Sequence, residues 1–256
     1  MSIKNNYNLT LKASYVGYVV QAIINNFAPL LYVTFNRDFG LSLAMISAIA
    51  AINFAVQLVT DGASAFFVDR VGYRKCVVAA HVLAATGLIL LGVLPYIMPP
   101  FVGIIISIIL YATGSGLIEV LISPIVEACP TERKEAAMTL LHSFYCWGQA
   151  IVITVSTAFF VVFGVSAWRY MSFAWAILPL VNIVMFSLVP INTLGGESTP
   201  APVRDIIRNP VFWILAVMMT AAGASEIAMC QWASAFTESG LGVTKTVGDI
   251  AGPCAF

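Results

Sequence analysis

Long apolar runs separated by short polar breaks set the plan of this chain. The runs cover about residues 15–35, 43–67, 76–98, 101–128, 136–163, 168–189 and 211–236. An eighth opens near Val247 and reaches the last residue, Phe256. A helix rises about 1.5 Å per residue, so roughly 20 apolar residues cross the hydrocarbon of a bilayer. Backbone groups in hydrocarbon must bond within their own segment, so each run predicts a helix. The breaks carry charge or proline. Arg37–Asp38 end the first run and Arg70, Arg74 and Lys75 the second. Pro99–Pro100 end the third, and Pro130 with Glu132–Glu135 the fourth. Residues 1–12 read as a polar tail, and 190–210 as a polar linker.

Composition supports the membrane reading. The 256 residues are 60% hydrophobic and 9% charged, where soluble domains carry about 25% charged residues. The formal net charge is 0, which gives no field for nucleic acid. The 5 cysteines have no paired spacing, so neither a disulfide nor a metal site is predicted. No acid–base–nucleophile spacing suggests an enzyme, and no cofactor is called for. The basic residues set orientation. With the N-terminus inside, the inner segments hold nine of the 12, Lys4, Lys12, Arg70, Arg74, Lys75, Arg133, Lys134, Arg204 and Arg208. The outer segments hold Arg37, Arg169 and Lys245. This bias predicts a cytoplasmic N-terminus in a cell membrane.

Polar residues inside the runs are the candidates for function. Glu119 is in the middle of the fourth run, where a charged carboxylate costs several kcal/mol unless protonated, paired or facing water. Tyr111, Ser115, Glu119, Ser123 and Glu127 recur every four residues and form a stripe on one helix face. That stripe predicts either a cavity lining or a buried network to a neighbour. Asn53, Gln57 and Asp61 make a second stripe. Asn53 and Gln57 suit helix bridging or the hydroxyls of a solute equally, whereas Asp61, nearer the inner end, suits a gate. Asn25 and Asn26 precede Pro29, a kink-forming residue. One is expected to face a cavity and the other a helix contact. His142, Tyr145 and Gln149 share a face of the fifth run, as contacts for proton or solute or as helix contacts. Glu226 is a mid-run carboxylate in the seventh. Trp147, Trp232 and His81 read as packing residues.

The segment DRVGYRK, Asp69 to Lys75, resembles the loop between the second and third spans of the major facilitator superfamily. Asp69, Arg70, Gly72, Arg74 and Lys75 match that motif, and Ala65 stands where the family has glycine. NNFAPLL from Asn25, GSGLIEVLISPIVEA from Gly114, LLHSFYCWGQ from Leu140 and GDIAGPCAF from Gly248 look like the fucose–proton symporter branch. The resemblance implies an all-α integral membrane protein of the major facilitator type. Residues 1–189 would form the N-terminal six-helix bundle, 190–210 a cytoplasmic linker, and 211–256 the start of a second bundle. The chain would thus be C-terminally incomplete. The resemblance further implies alternating-access transport of a small polar solute, a sugar, with protons, by a monomer in the lipid bilayer. Glu119 takes the place of that branch's acidic residue in span four. Asp69, Arg70, Gly72, Arg74 and Lys75, with Asp61, would gate the inner side. Span one offers only Asn25 and Asn26 where the branch uses an acid. Leu110 stands where many members carry arginine, and the fifth run lacks the Gly-Pro motif of drug antiporters. The alternatives are a drug or metabolite exporter of the same fold, or a non-transporting receptor or assembly protein.

Overall fold

A computed structural model describes residues 6–192 and 208–254. The chain divides into two compact units, Met1–Leu194 and Gly195–Phe256. The described residues contain seven helices long and apolar enough to cross a membrane, so the chain is a multi-pass, all-helical membrane protein.

In the first unit, α1 (Tyr7–Phe27) leads through a 3-10 turn (Pro29–Leu31) into α2 (Tyr32–Phe39). Together they form one interrupted span. The interruption is at Pro29, where the Leu31 amide bonds the Ala28 carbonyl at 2.9 Å and tightens the turn. The tail expected over residues 1–12 is helical from Tyr7. Asn6 caps it by accepting the Asn8 amide at 3.1 Å, and Thr10 Oγ1 donates to the Pro190 carbonyl at 2.6 Å. Lys4 lies outside the described residues.

α3 (Leu43–Val71) and α4 (Tyr73–Leu91) are joined by Gly72 alone. The basic turn expected over Arg70 to Lys75 is therefore two helix ends meeting at one residue. Gly72 has φ 96°, which is strained for any residue with a Cβ. The third span is shorter than expected. α4 stops at Leu91, and a one-turn helix, α5 (Leu94–Ile97), precedes α6 (Pro100–Glu127). α7 (Lys134–Phe163) and α8 (Trp168–Leu188) complete the unit.

α6 is the central helix, packed on α1, α3, α4, α5 and α7. Small residues allow it to be central, because they let backbones approach. A Cβ on Gly114 would stand 2.5 Å from the Ala80 carbonyl oxygen of α4. A Cβ on Gly116 would stand 3.0 Å from the Gln57 carbonyl oxygen of α3. Two residues apart, these glycines face nearly opposite neighbours. Outward faces carry large apolar side chains such as Leu58, Val59 and Phe66 on α3 and Ile177 and Val184 on α8. Those faces suit lipid.

The second unit holds α9 (Pro210–Leu241) and α10 (Lys245–Cys254), packed on each other. Asn209 caps α9 by accepting the Val211 amide at 3.0 Å. Asp249 of α10 is fully buried. It accepts from Ser234 Oγ of α9 and pairs with Lys245 Nζ at 3.0 Å. Glu226 belongs to α9, and its side chain lies outside the described residues, as does most of the expected linker.

Candidate functional site

A seam of polar side chains crosses four helices of the first unit. Ser115 Oγ of α6 donates to Gln57 Oε1 of α3 at 3.2 Å. Gln57 Nε2 donates to Asn25 Oδ1 of α1 at 3.0 Å. Asn25 Nδ2 donates to Tyr145 Oη of α7 at 3.4 Å. Each link joins two helices, so one strand of bonds ties α6, α3, α1 and α7. A second line runs beside it. Gln21 Nε2 of α1 donates to Glu119 Oε2 of α6 at 2.8 Å. One turn earlier on α1, Tyr18 Oη and Ser123 Oγ of α6 share a bond of 2.9 Å. The Tyr18 ring lies 5.6 Å from that of His142 on α7. Gly148 brings α7 close enough for these contacts, since its Cβ would stand 3.0 Å from that of Ala22.

The seam opens along its length. Tyr111 and Ser115 are fully buried, whereas Ser123 is half-buried and Glu119 and Glu127 are exposed. Four residues turn a helix by about 400°, so a four-residue repeat drifts some 40° each time. The stripe therefore winds from the packed side of α6 to an open face. His142 is exposed and Tyr145 and Gln149 half-buried on that side of α7. Pro124 lies within α6, one turn past Glu119, and cannot bond the Val120 carbonyl.

The two stripes meet where α3 packs on α6. Gln57 meets Ser115 across 58 positions. One turn further along α3, Asp61 Oδ1 lies against Gly116, where a Cβ would stand 2.8 Å from it. Asn53 and Asp61 each have a buried oxygen, Oδ1, without a hydrogen-bond partner. Asn26 is buried and turns back on its own helix, donating to the Ala22 carbonyl at 2.9 Å. Of the asparagine pair, Asn25 alone is in the seam. Trp147 is exposed, its ring 5.4 Å from Phe144.

The residues expected to gate do not form one group. Asp61 lies against α6, about 12 Å along α3 from Asp69. Asp69, Arg70 and Lys75 are exposed at the adjoining ends of α3 and α4, and Ala65 is exposed as well. Arg74 caps α8. Its Nη1 donates to the carbonyls of Phe186 at 2.8 Å and Ser187 at 3.0 Å, and its Nη2 to that of Val189 at 2.7 Å. A cation on the last carbonyls of a helix complements its dipole.

His81 lies elsewhere, between α4 and α8. Nδ1 donates to the Val77 carbonyl at 2.7 Å, and Nε2 accepts from Asn182 Nδ2 at 2.8 Å. That amide also reaches the Ala13 carbonyl of α1 at 3.1 Å. Both side chains are fully buried. The seam residues missing from the sequence-based candidates are Gln21 and Tyr18. The signal was available: Tyr18, Gln21 and Asn25 follow i, i+3, i+7 spacing on α1.

The family profile of the Major Facilitator Superfamily matches residues 15–256. No curated protein matches the chain in sequence. Among solved structures, a D-xylose–proton symporter shares 15% identity at a TM-score of 0.72, covering 97% of this chain and 66% of its own. A bacterial homologue of the human lysosomal transporter Spinster, inward-facing and occupied, shares 16% at 0.73, covering 98% and 58%. The peptide transporter POT, in complex with sulfate, shares 19% at 0.59, covering 93% and 47%. At such identities the likeness is one of fold, and this chain spans less than two thirds of each of these chains. With all but its first 14 residues matched by the profile, the chain belongs to the major facilitator superfamily.

Proposed function

We propose that the whole protein is a secondary active transporter that moves a small polar solute, a sugar, together with protons by alternating access. One observation carries the reading: Glu119, held by Gln21, stands where the four-helix polar seam opens. A carboxylate at bilayer depth is costly unless it serves a cavity or a proton path. Amides and hydroxyls beside it suit sugar hydroxyls, since each both donates and accepts. The nearby fold of a D-xylose–proton symporter supports the same class of solute. On this reading, Glu119 takes up a proton as the solute binds. Neutralising the carboxylate lets the loaded bundle reorient through hydrocarbon.

Asn25, Gln57, His142 and Gln149 are proposed as solute or proton contacts, with Asn53 behind them. Asp69, Arg70 and Lys75 are proposed to guard the inner face, with Gly72 and Arg74 shaping it. Residues 1–189 form the first bundle, 190–210 the linker and 211–256 the opening of a second bundle, to which Glu226 contributes. The positive-inside bias supports a cytoplasmic N-terminus in the cell membrane.

The test uses the intact protein in proteoliposomes, with an imposed pH gradient and radiolabelled L-fucose and D-xylose as probes. The wild type is expected to accumulate one of them against its gradient. Glu119→Gln is expected to lose that accumulation while keeping exchange of labelled for unlabelled sugar. Unchanged pH-driven accumulation in Glu119→Gln would remove its coupling role. Solute efflux driven by the same gradient would turn the reading to an exporter.

A further inference from the structure

We infer that Asp61 and Glu119 form a carboxyl pair that shares one proton across the α3–α6 contact. The inference rests on the proton-coupled reading and adds a second proton carrier from a different helix.

The first observation is register. The register that bonds Gln57 to Ser115 lays Asp61, one turn past Gln57, against Gly116, and Glu119 is one turn further along the same face of α6. The second is the notch at Gly116. A Cβ there would stand 2.8 Å from Asp61 Oδ1, 3.0 Å from the Gln57 carbonyl oxygen and 3.1 Å from Thr60 Cβ. Glycine is therefore what lets the carboxyl lie on the backbone of α6. The third is a shortage of donors. Asp61 Oδ1 is buried with no hydrogen-bond partner, and the Gln57 carbonyl converging on the same notch is another acceptor. Glu119 receives the Gln21 amide on Oε2. A proton on one carboxyl supplies the missing donor and removes the repulsion between two like charges.

The surroundings offer no competing cation among the described residues. The titratable group that α1 brings to this region is Tyr18, bonded to Ser123, and α7 brings His142 against the Tyr18 ring, with Tyr145 on Asn25. On α4, His81 is engaged by Val77 and Asn182. α5 has Tyr96, over which the Arg169 guanidinium lies. The basic residues Arg70, Arg74, Lys75, Arg133 and Lys134 lie at helix ends, and Lys12 of α1 precedes Gln21 by nine residues, about 14 Å along the helix. Asp69 and Glu127 are about two turns away along α3 and α6.

The step is a proton transfer. The O–H bond on one carboxyl breaks as an O–H bond forms on the other, and the pair keeps a charge of −1. With the proton on Asp61, Glu119 is an anion at the open face. With it on Glu119, the anion is at the α3–α6 contact. Release of the proton to solution leaves two anions there and strains that contact.

The experiment needs no solute. The purified intact protein is titrated with pH while the infrared band of protonated carboxyl C=O is followed, with the double variant Asp61→Asn, Glu119→Gln as the blank. The pair is expected to give two steps in the wild type. Asp61→Asn and Glu119→Gln are each expected to leave one step, about one pH unit or more from the upper wild-type step. If Asp61→Asn leaves Glu119 titrating at that upper step, the carboxyls are independent and the pair is overturned, while coupling through Glu119 alone stands. If Asp61→Asn does not fold, Glu119→Gln carries the same test on Asp61. A band that responds to sodium chloride and not to choline chloride at fixed pH also overturns it, by assigning the site to sodium. Failure of proton-driven sugar accumulation with two coupled steps intact would sink the transport reading and leave the pair.

Discussion

Two polar clusters share the first bundle and differ in how they are closed. The His81–Asn182 cluster joins α4, α8 and α1, and both side chains are fully buried. The seam from Ser115 through Gln57 and Asn25 to Tyr145 joins α6, α3, α1 and α7 and ends beside exposed Glu119 and His142. In the closed cluster, each ring nitrogen of His81 has a partner, and no side chain faces out. In the open seam, the Glu119 carboxyl and the His142 ring reach a surface, whereas buried oxygens without a hydrogen-bond partner occur in both regions, at Asn182 in the closed cluster and at Asn53 and Asp61 beside the seam. On the proposed reading, access to a surface, and not depth in the apolar helices, separates the transport groups from the structural ones.

Variants can break or sharpen this comparison. The largest effect on stability is expected from Gly114→Leu, which belongs to neither cluster but supports both. Its Cβ would meet the Ala80 carbonyl at 2.5 Å. Forcing α6 from α4 is expected to cost about 3 kcal/mol, read as loss of monodisperse protein in detergent. Retention of wild-type thermal stability would mean that the α4–α6 contact yields easily.

Asn182→Leu comes next. It leaves His81 Nε2 and the Ala13 carbonyl without their donor, a loss of about 1–3 kcal/mol. Melting in detergent should fall, while sugar uptake per folded molecule holds. A specific loss of uptake at unchanged stability would move His81 and Asn182 into the functional site. Arg74→Gln removes the charged cap on α8, and about 1–2 kcal/mol is expected. The same melting assay reads it. If its effect falls on uptake alone, Arg74 acts as a gate instead of a cap.

Gln57→Leu is expected to change stability least and transport most. Interhelical bonds in membranes are worth about 1 kcal/mol, yet this one links Ser115 and Asn25. Uptake is expected to fall about tenfold or more, which corresponds to about 1.4 kcal/mol in the transport barrier. A large drop in melting temperature with normal uptake would make the seam a structural network and erase the contrast with His81.

The spans were legible because hydrocarbon allows only one backbone solution. Seven of the eight apolar runs became long helices, and the boundaries of the sixth, expected over 168–189 and found at Trp168–Leu188, agree to one residue. The polar tail expected over residues 1–12 is helical from Tyr7 because that helix is fixed by a side-chain cap and by Thr10 reaching Pro190, a partner 180 positions away. The third run was drawn too long because Leu94–Ile97 is apolar enough to continue a span, though the chain turns at Gly92. Glu119, Asn25 and Gln57 stood out as polar groups in apolar helices. Their connection did not, because a hydrogen bond across helices leaves no period in the sequence.

Arg74 and Asp61 show the division best. The sequence by itself determined that Asp61 lies within an apolar run of a membrane protein and Arg74 in the polar break after it, since hydropathy and charge fix where a residue can stand along the bilayer normal. The tertiary structure alone decided their partners. Rotation about each helix axis and the close approach at Gly116 turn Asp61 toward α6, and the fold returns the end of α8 to the guanidinium of Arg74. Depth follows from the solvent, and partnership follows from packing.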